Sequence, residues 1–71
     1  MSAPKYYQIR KNLISGWDLR EQGSEIVIAN RQSKQQMIDY AENFCKTHPS
    51  ELIIRDDFGK IVEKRTYGGG S

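Results

Sequence analysis

From Lys5 to Lys11 the chain alternates, with Tyr7 and Ile9 on one side and Tyr6, Gln8 and Arg10 on the other. A period of two is the signature of a half-buried strand. Asn12 to Gly16 supplies turn chemistry around Ser15 and Gly16, after which Trp17 and Leu19 share a face opposite Asp18 and Arg20 and form a second strand. Gln22, Gly23 and Ser24 make the next tight connection. Glu25 to Ala29 predicts a third strand, with Ile26 and Ile28 on one face and Val27 on the other. Together the three predict an antiparallel meander.

At Ser33 the period changes. Ser33 with Gln36 three residues later is a capping-box pair, in which hydroxyl and amide can each accept from the other's backbone N–H. Behind it Met37, Ile38, Ala41, Phe44 and Cys45 fall at helical spacing in one apolar stripe, while Lys34, Asp39, Glu42 and Lys46 lie off it. The spacing predicts a helix from Lys34 to Thr47, ended by His48 and Pro49, because a residue before proline is pushed away from the α region. Leu52, Ile53 and Ile54 then predict a strand, Asp56-Asp57-Phe58-Gly59 a turn, and Lys60 to Thr66 a final strand. The expected fold is α+β: a single antiparallel sheet with element order ββ(β)αββ and one helix packed on one face. The expected domain is 5–67, with 1–4 and 68–71 as flexible termini.

The chain has 71 residues, 37% hydrophobic and 28% charged. That length allows one small core and argues against a large buried catalytic cleft, since a domain of this size hides only about 60% of its unfolded surface. Its net charge of +2 implies no partner by itself. No apolar stretch approaches the ~20 residues of a membrane span, and the first residues are too polar for a signal peptide. One cysteine and one histidine form neither an internal disulfide nor a zinc set, so a reducing, cytoplasmic setting is expected, without metal or other cofactor.

Several short motifs occur in order: Tyr7-x-Ile9, Gly16-Trp17-x-Leu19, Ser33 with Met37 and Ile38, Glu51-Leu52-Ile53-Ile54, Gly59-Lys60-Ile61 and Thr66-Tyr67-Gly68. The set resembles a family of short, functionally uncharacterised bacterial and phage proteins, a domain of unknown function. Its members show Y-x-V, GW-x-V, T-x-x-E-A, E-L-x-I, DG-x-I and T-Y-G. The chain departs from that pattern at Gln36-Met37 and at Phe58-Gly59, keeping cap and turn chemistry in both places. The resemblance implies a fold and brings no catalytic residues.

Individual chemistry-bearing residues have ordinary structural explanations. Trp17 fills the gap between sheet and helix, with a base-stacking platform as the alternative. Cys45 lies beside Phe44 on the apolar stripe, as a core thiol would, and lacks the partnering base that a nucleophile needs. His48 sits where a helix dipole ends, and Asp56 and Asp57 are ordinary turn residues without calcium-loop spacing. The terminal glycines precede no helix, so they do not make a phosphate loop. Enzyme activity has no constellation to stand on.

The sheet face away from the helix is more informative. If Tyr7, Ile9, Trp17, Leu19, Ile26, Ile28, Leu52, Ile54 and Ile61 face inward, then Tyr6, Arg10, Arg20, Val27, Ile53, Arg55, Lys60, Val62 and Lys64 face outward. A non-enzymatic binding module would bury Val27, Ile53 and Val62 against another protein or a second copy of itself. The alternative, ranked second, is a nucleic-acid module contacting phosphates through Arg10, Arg20, Arg55, Lys60 and Lys64, with Tyr6 available for stacking. A solvated face with cations guarding the sheet is the ordinary reading. A bulge in any strand would exchange its faces.

Overall fold

The structure, a computed structural model, describes residues 5–47 and 49–68. The element order is β1 (Lys5–Lys11), β2 (Trp17–Glu21), β3 (Val27–Arg31), α1 (Lys34–Cys45), β4 (Ser50–Arg55) and β5 (Ile61–Tyr67). The third strand is therefore a full member, giving βββαββ rather than ββ(β)αββ. The strands lie in the order β3-β2-β1-β4-β5.

The sheet is mixed, which corrects the expected purely antiparallel arrangement. β1 pairs with β4 in parallel, Tyr7 opposite Leu52 and Ile9 opposite Ile54. The pairs β1–β2, β2–β3 and β4–β5 are antiparallel. Side-chain alternation is the same in either type of pairing, so it does not determine how two hairpins join. The connection decides: parallel neighbours need a crossover, and α1 supplies one between β3 and β4.

The capping box forms. Gln36 N–H donates to Ser33 Oγ at 3.1 Å, and Ser33 N–H donates to Gln36 Oε1 at 3.3 Å. α1 ends at Cys45, two residues earlier than expected, and the Lys46 N–H closes the last turn on the Glu42 carbonyl. His48 and its expected place at the helix dipole lie outside the described residues, as do the terminal residues 1–4 and 69–71.

Tyr7, Ile9, Trp17, Leu19, Met37, Ala41, Cys45, Leu52 and Ile54 are buried in one core between helix and sheet. Tyr7 meets Phe44 edge-on, with ring centroids 5.1 Å apart. Arg65 ties β5 to the helix by donating to Glu42 Oε2 at 2.8 Å and to Glu63 Oε2 at 2.7 Å.

Three residues expected in the core are outside it: Ile26, Ile28 and Ile61 are all exposed. Two bulges explain this. Leu19 is opposite Ala29 but Arg20 is opposite Val27, so Ile28 has no partner and Ala29 takes the inward place. Ile26 precedes β3 altogether. Likewise Ile54 is opposite Glu63 while Arg55 is opposite Ile61, which leaves Val62 as the extra residue and moves Ile61 onto the outer face. An inserted residue inverts the alternation beyond it.

Candidate functional site

The cross-strand register arranges the face that the helix leaves uncovered. One row crosses the sheet as Val27, Arg20, Gln8, Ile53 and Lys64. A neighbouring row holds Asn30, Asp18 and Arg10, and Arg55 with Ile61 continues it on the β4–β5 side. Tyr6, Glu51 and Thr66 form a row on the other side. Val27 lies three strands from Ile53, about 14 Å at the usual strand spacing, so the two do not form one patch. Exposed Val62, extra in its bulge, adjoins Ile61 instead.

The expected cations are also brought to this face, each in a different setting. Arg10 and Lys64 are exposed. Arg55 donates from Nε to Gln8 Oε1 at 3.0 Å and from Nη1 to the Gly59 carbonyl at 2.8 Å, two neutral acceptors that leave its charge uncompensated. Among the described residues no carboxylate pairs with Arg10, Arg55 or Lys64. Arg20 differs, since its Nη2 lies 3.4 Å from Asp18 Oδ2. Lys60 lies in the turn before β5, outside the strand alternation that was expected to aim it outward.

Asp18 is the unexpected member. Strand parity puts it on the uncovered face, yet it is 1% exposed. Asn12 Nδ2 donates to Oδ2 at 2.8 Å and Asn30 Nδ2 to Oδ1 at 2.8 Å, beside the Arg20 contact. Burial alone would raise its pKa, but the hydrogen bonds from Asn30, Asn12 and Arg20 outweigh burial and hold it below its ordinary value. The same asparagines shape the loop between β1 and β2. Asn12 Oδ1 accepts from the N–H groups of Ile14 at 2.7 Å and Ser15 at 3.2 Å, and Asn30 Nδ2 reaches the Ser15 carbonyl at 3.2 Å.

Gly16 closes this loop at a φ of 72°, where a Cβ would stand 2.5 Å from the Arg31 carbonyl oxygen. Gly23 has a φ of 87° but open space around it. Gly16→Ala should therefore cost about 1–3 kcal/mol and Gly23→Ala about 1 kcal/mol. Urea denaturation of both variants checks this, and equal losses would remove the close approach as a cause.

The loop between β4 and β5 is similarly built. Asp56 Oδ1 accepts from the N–H groups of Phe58 and Lys60, both at 2.9 Å, and the Lys60 bond leads in holding the carboxyl below its ordinary pKa. Because β1 and β4 run in parallel, both loops leave from the same end of the sheet. Between them is a cleft of about 170 Å³ lined by Arg10, Lys11, Leu13 and the turn 56–59. Leu13 and Phe58 in its lining, and Ile14 in the 12–16 loop, are almost fully exposed, at 103%, 95% and 94%. These three were not anticipated as functional residues. Their signal was present as large apolar side chains within turn-forming polar segments.

The other candidate chemistry has structural settings. Trp17 is buried, with Lys11 Nζ 5.7 Å and Lys34 Nζ 5.5 Å from its ring centroid. Cys45 is fully buried, which pushes its thiol pKa up against a smaller opposing contribution from Ser50. Among the described residues no group of three or more His, Cys, Asp or Glu side chains is placed to hold a metal ion, and no helix is long and apolar enough to cross a membrane.

A mixed five-stranded sheet with one helix on one face, the other face carrying cations and apolar side chains, defines a small α+β domain. The chain belongs to the family described as uncharacterized protein conserved in bacteria (DUF2188), whose model matches residues 7–67. No curated protein and no solved structure matches it.

Proposed function

We infer that the domain is a non-enzymatic binding module that engages another protein, or a second copy of itself, through its uncovered sheet face. The observation that carries this is the group of Ile53, Ile61 and Val62, apolar side chains beside Arg55 and Lys64 on the β4–β5 side of that face. An apolar centre with a charged rim is the usual anatomy of a protein interface. Val27, on the far side of Arg20 and Gln8, acts at the margin rather than in the centre of such a contact.

A second reading is supported by the cations. Arg20, Arg10, Arg55 and Lys64 lie on the four adjacent strands β2, β1, β4 and β5, with Tyr6 on the same face for stacking. Such a band suits the phosphate backbone of a nucleic acid, and Lys60 in the neighbouring turn would extend it.

Two titrations separate the readings. Replacing Ile53 by lysine should abolish self-association or partner binding without loss of secondary structure, because it puts a desolvated charge in the contact. Labelled oligonucleotides followed by fluorescence anisotropy at low salt test the other reading. If phosphates bind here, replacing Arg55 and Lys64 with glutamine should weaken binding and lower the log–log salt slope by about one per residue. An absence of oligonucleotide binding at low salt would end the nucleic-acid reading. Self-association or partner binding unchanged by Ile53→Lys would end the reading of this face as a protein interface.

A further inference from the structure

We propose that the loop end of the domain docks on an anionic membrane surface, Leu13, Ile14 and Phe58 entering the interfacial layer while the cations around them meet lipid headgroups. This surface is distinct from the sheet face, and contact of this kind needs no membrane-spanning segment. β1 and β4 run in parallel, so the 12–16 loop and the turn after β4 leave from the same end of the sheet. Leu13, Ile14 and Phe58 are almost fully exposed, so each stands clear of its neighbours instead of joining a flat patch. None of the three adds to the core, and water disfavours their exposure. The loops that present them are nevertheless held in place. Asn12 accepts from the Ile14 and Ser15 amides while donating to buried Asp18. Asp56 accepts from the Phe58 and Lys60 amides, and Arg55 donates to the Gly59 carbonyl. Side chains on turns fixed in this way lose little conformational freedom on binding.

Charge and shape together select the occupant. Arg10 and Lys11 line the cleft between the two loops, Lys34 joins Lys11 over the Trp17 ring, and Lys60 closes the second turn. Against them stand Asp56 and Asp57, which leaves an excess of positive charge. Both acids are already engaged, Asp57 with Lys11 at 3.9 Å and Asp56 with two backbone amides. Among the described residues no carboxylate lies within ion-pair distance of Arg10, Lys34 or Lys60. α1 also begins at this end, because Arg31 at the close of β3 is opposite Trp17, which is itself opposite Lys11. Its first turn carries no acid, so the helix dipole adds to the positive field. Such a field attracts an anionic lipid surface. A protein partner would need a matching recess for each separate protrusion, whereas the interfacial layer of a bilayer takes an apolar tip without one. A nucleic acid would offer phosphates to the cations but no apolar phase for Leu13 and Ile14, which have no ring to stack.

Co-sedimentation of the full chain with unilamellar vesicles reads the contact directly. The chain should pellet with phosphatidylcholine vesicles containing ~30% phosphatidylserine, stay in solution with phosphatidylcholine alone, and bind less as salt rises. Ile14→Ser combined with Phe58→Ser changes no charge and alters only exposed side chains. That pair should lower the partition coefficient at least ~10-fold with an unchanged circular dichroism spectrum. Lys34→Gln combined with Lys60→Gln should lower it by a similar ~10-fold. Ile53→Ser, on the sheet face, should leave it unaltered. In a Phe58→Trp variant, lipids brominated on their acyl chains should quench the new indole but not buried Trp17. No binding to the phosphatidylserine vesicles at low salt overturns the proposal. So does binding undiminished by the Ile14→Ser and Phe58→Ser pair, which would be electrostatic adsorption without insertion. Oligonucleotide binding weakened by that pair, with no vesicle binding, overturns it in favour of a nucleic acid.

Discussion

Trp17→Ala should destabilise the domain by about 3–5 kcal/mol, enough to unfold a large fraction of so small a protein. Trp17 is buried next to Leu19 on the helix-facing side of β2, the most deeply packed strand of the first hairpin. Removing the indole empties space between β2 and α1, and the rigid sheet can close that space only in part. It also removes the ring beneath Lys11 and Lys34, two cation–π contacts of smaller weight. Lys11 and Lys34 keep their aliphatic stems over the site, so part of the cavity can be covered from the surface. Thermal and urea melts followed by circular dichroism measure the loss. A variant as stable as the wild type would mean that Trp17 adds nothing to the core.

Where the apolar pattern was regular, it was a reliable guide. The inward residues of Lys5–Lys11, Trp17–Glu21 and Ser50–Arg55, namely Tyr7, Ile9, Trp17, Leu19, Leu52 and Ile54, are all buried. The Ser33–Gln36 cap marked the start of α1 because both halves of the reciprocal bond are side chains visible in sequence. β3 and β5 were harder. Each is an edge strand with a bulge, and a bulge is defined by the partner strand's register rather than by the residues in the bulged segment. Ile26, Ile28 and Ile61 therefore read as core residues although they lie at the surface.

The same distinction applies to the candidate surfaces. Arg10, Arg20, Arg55 and Ile53 share the uncovered face because alternation within β1, β2 and β4 is undisturbed, and Lys64 joins them as the partner of Ile53, clear of the β5 bulge. That Val27 stands apart from Ile53 depends on strand order, which alternation does not encode. The meeting of the 12–16 loop and the 56–60 turn depends on the parallel pairing of β1 and β4, so Leu13 and Phe58 could be associated only once that pairing was known. Asp18 looked like an outward strand residue. Its burial arises from asparagines six and twelve residues away that close over it from both sides.

With both asparagines donating to its buried carboxylate, Asp18→Ala should cost about 3 kcal/mol at neutral pH. The substitution removes the acceptor of the Asn12 amide, one of the two acceptors of the Asn30 amide and the carboxylate paired with Arg20, whose Nε is already buried without a partner among the described residues. The dependence on pH has a definite direction. The folded protein holds the Asp18 carboxyl below its ordinary value of 3.8, so the ionised carboxylate stabilises the fold fully above that pH. As the pH falls through 3.8 toward the lower folded value, the unfolded chain takes up the proton first and the stabilisation is lost. Wild-type melting temperature should therefore fall more steeply on acidification than that of Asp18→Ala, and the two curves should approach one another. Asp56, also held below its ordinary value, gives both proteins a shared acid dependence, so the difference between the curves isolates Asp18. Melts at closely spaced pH values between neutrality and strong acid check this. Parallel curves, or a variant as stable as the wild type near pH 7, would show that the buried carboxylate does not hold the β1–β2 loop to the sheet.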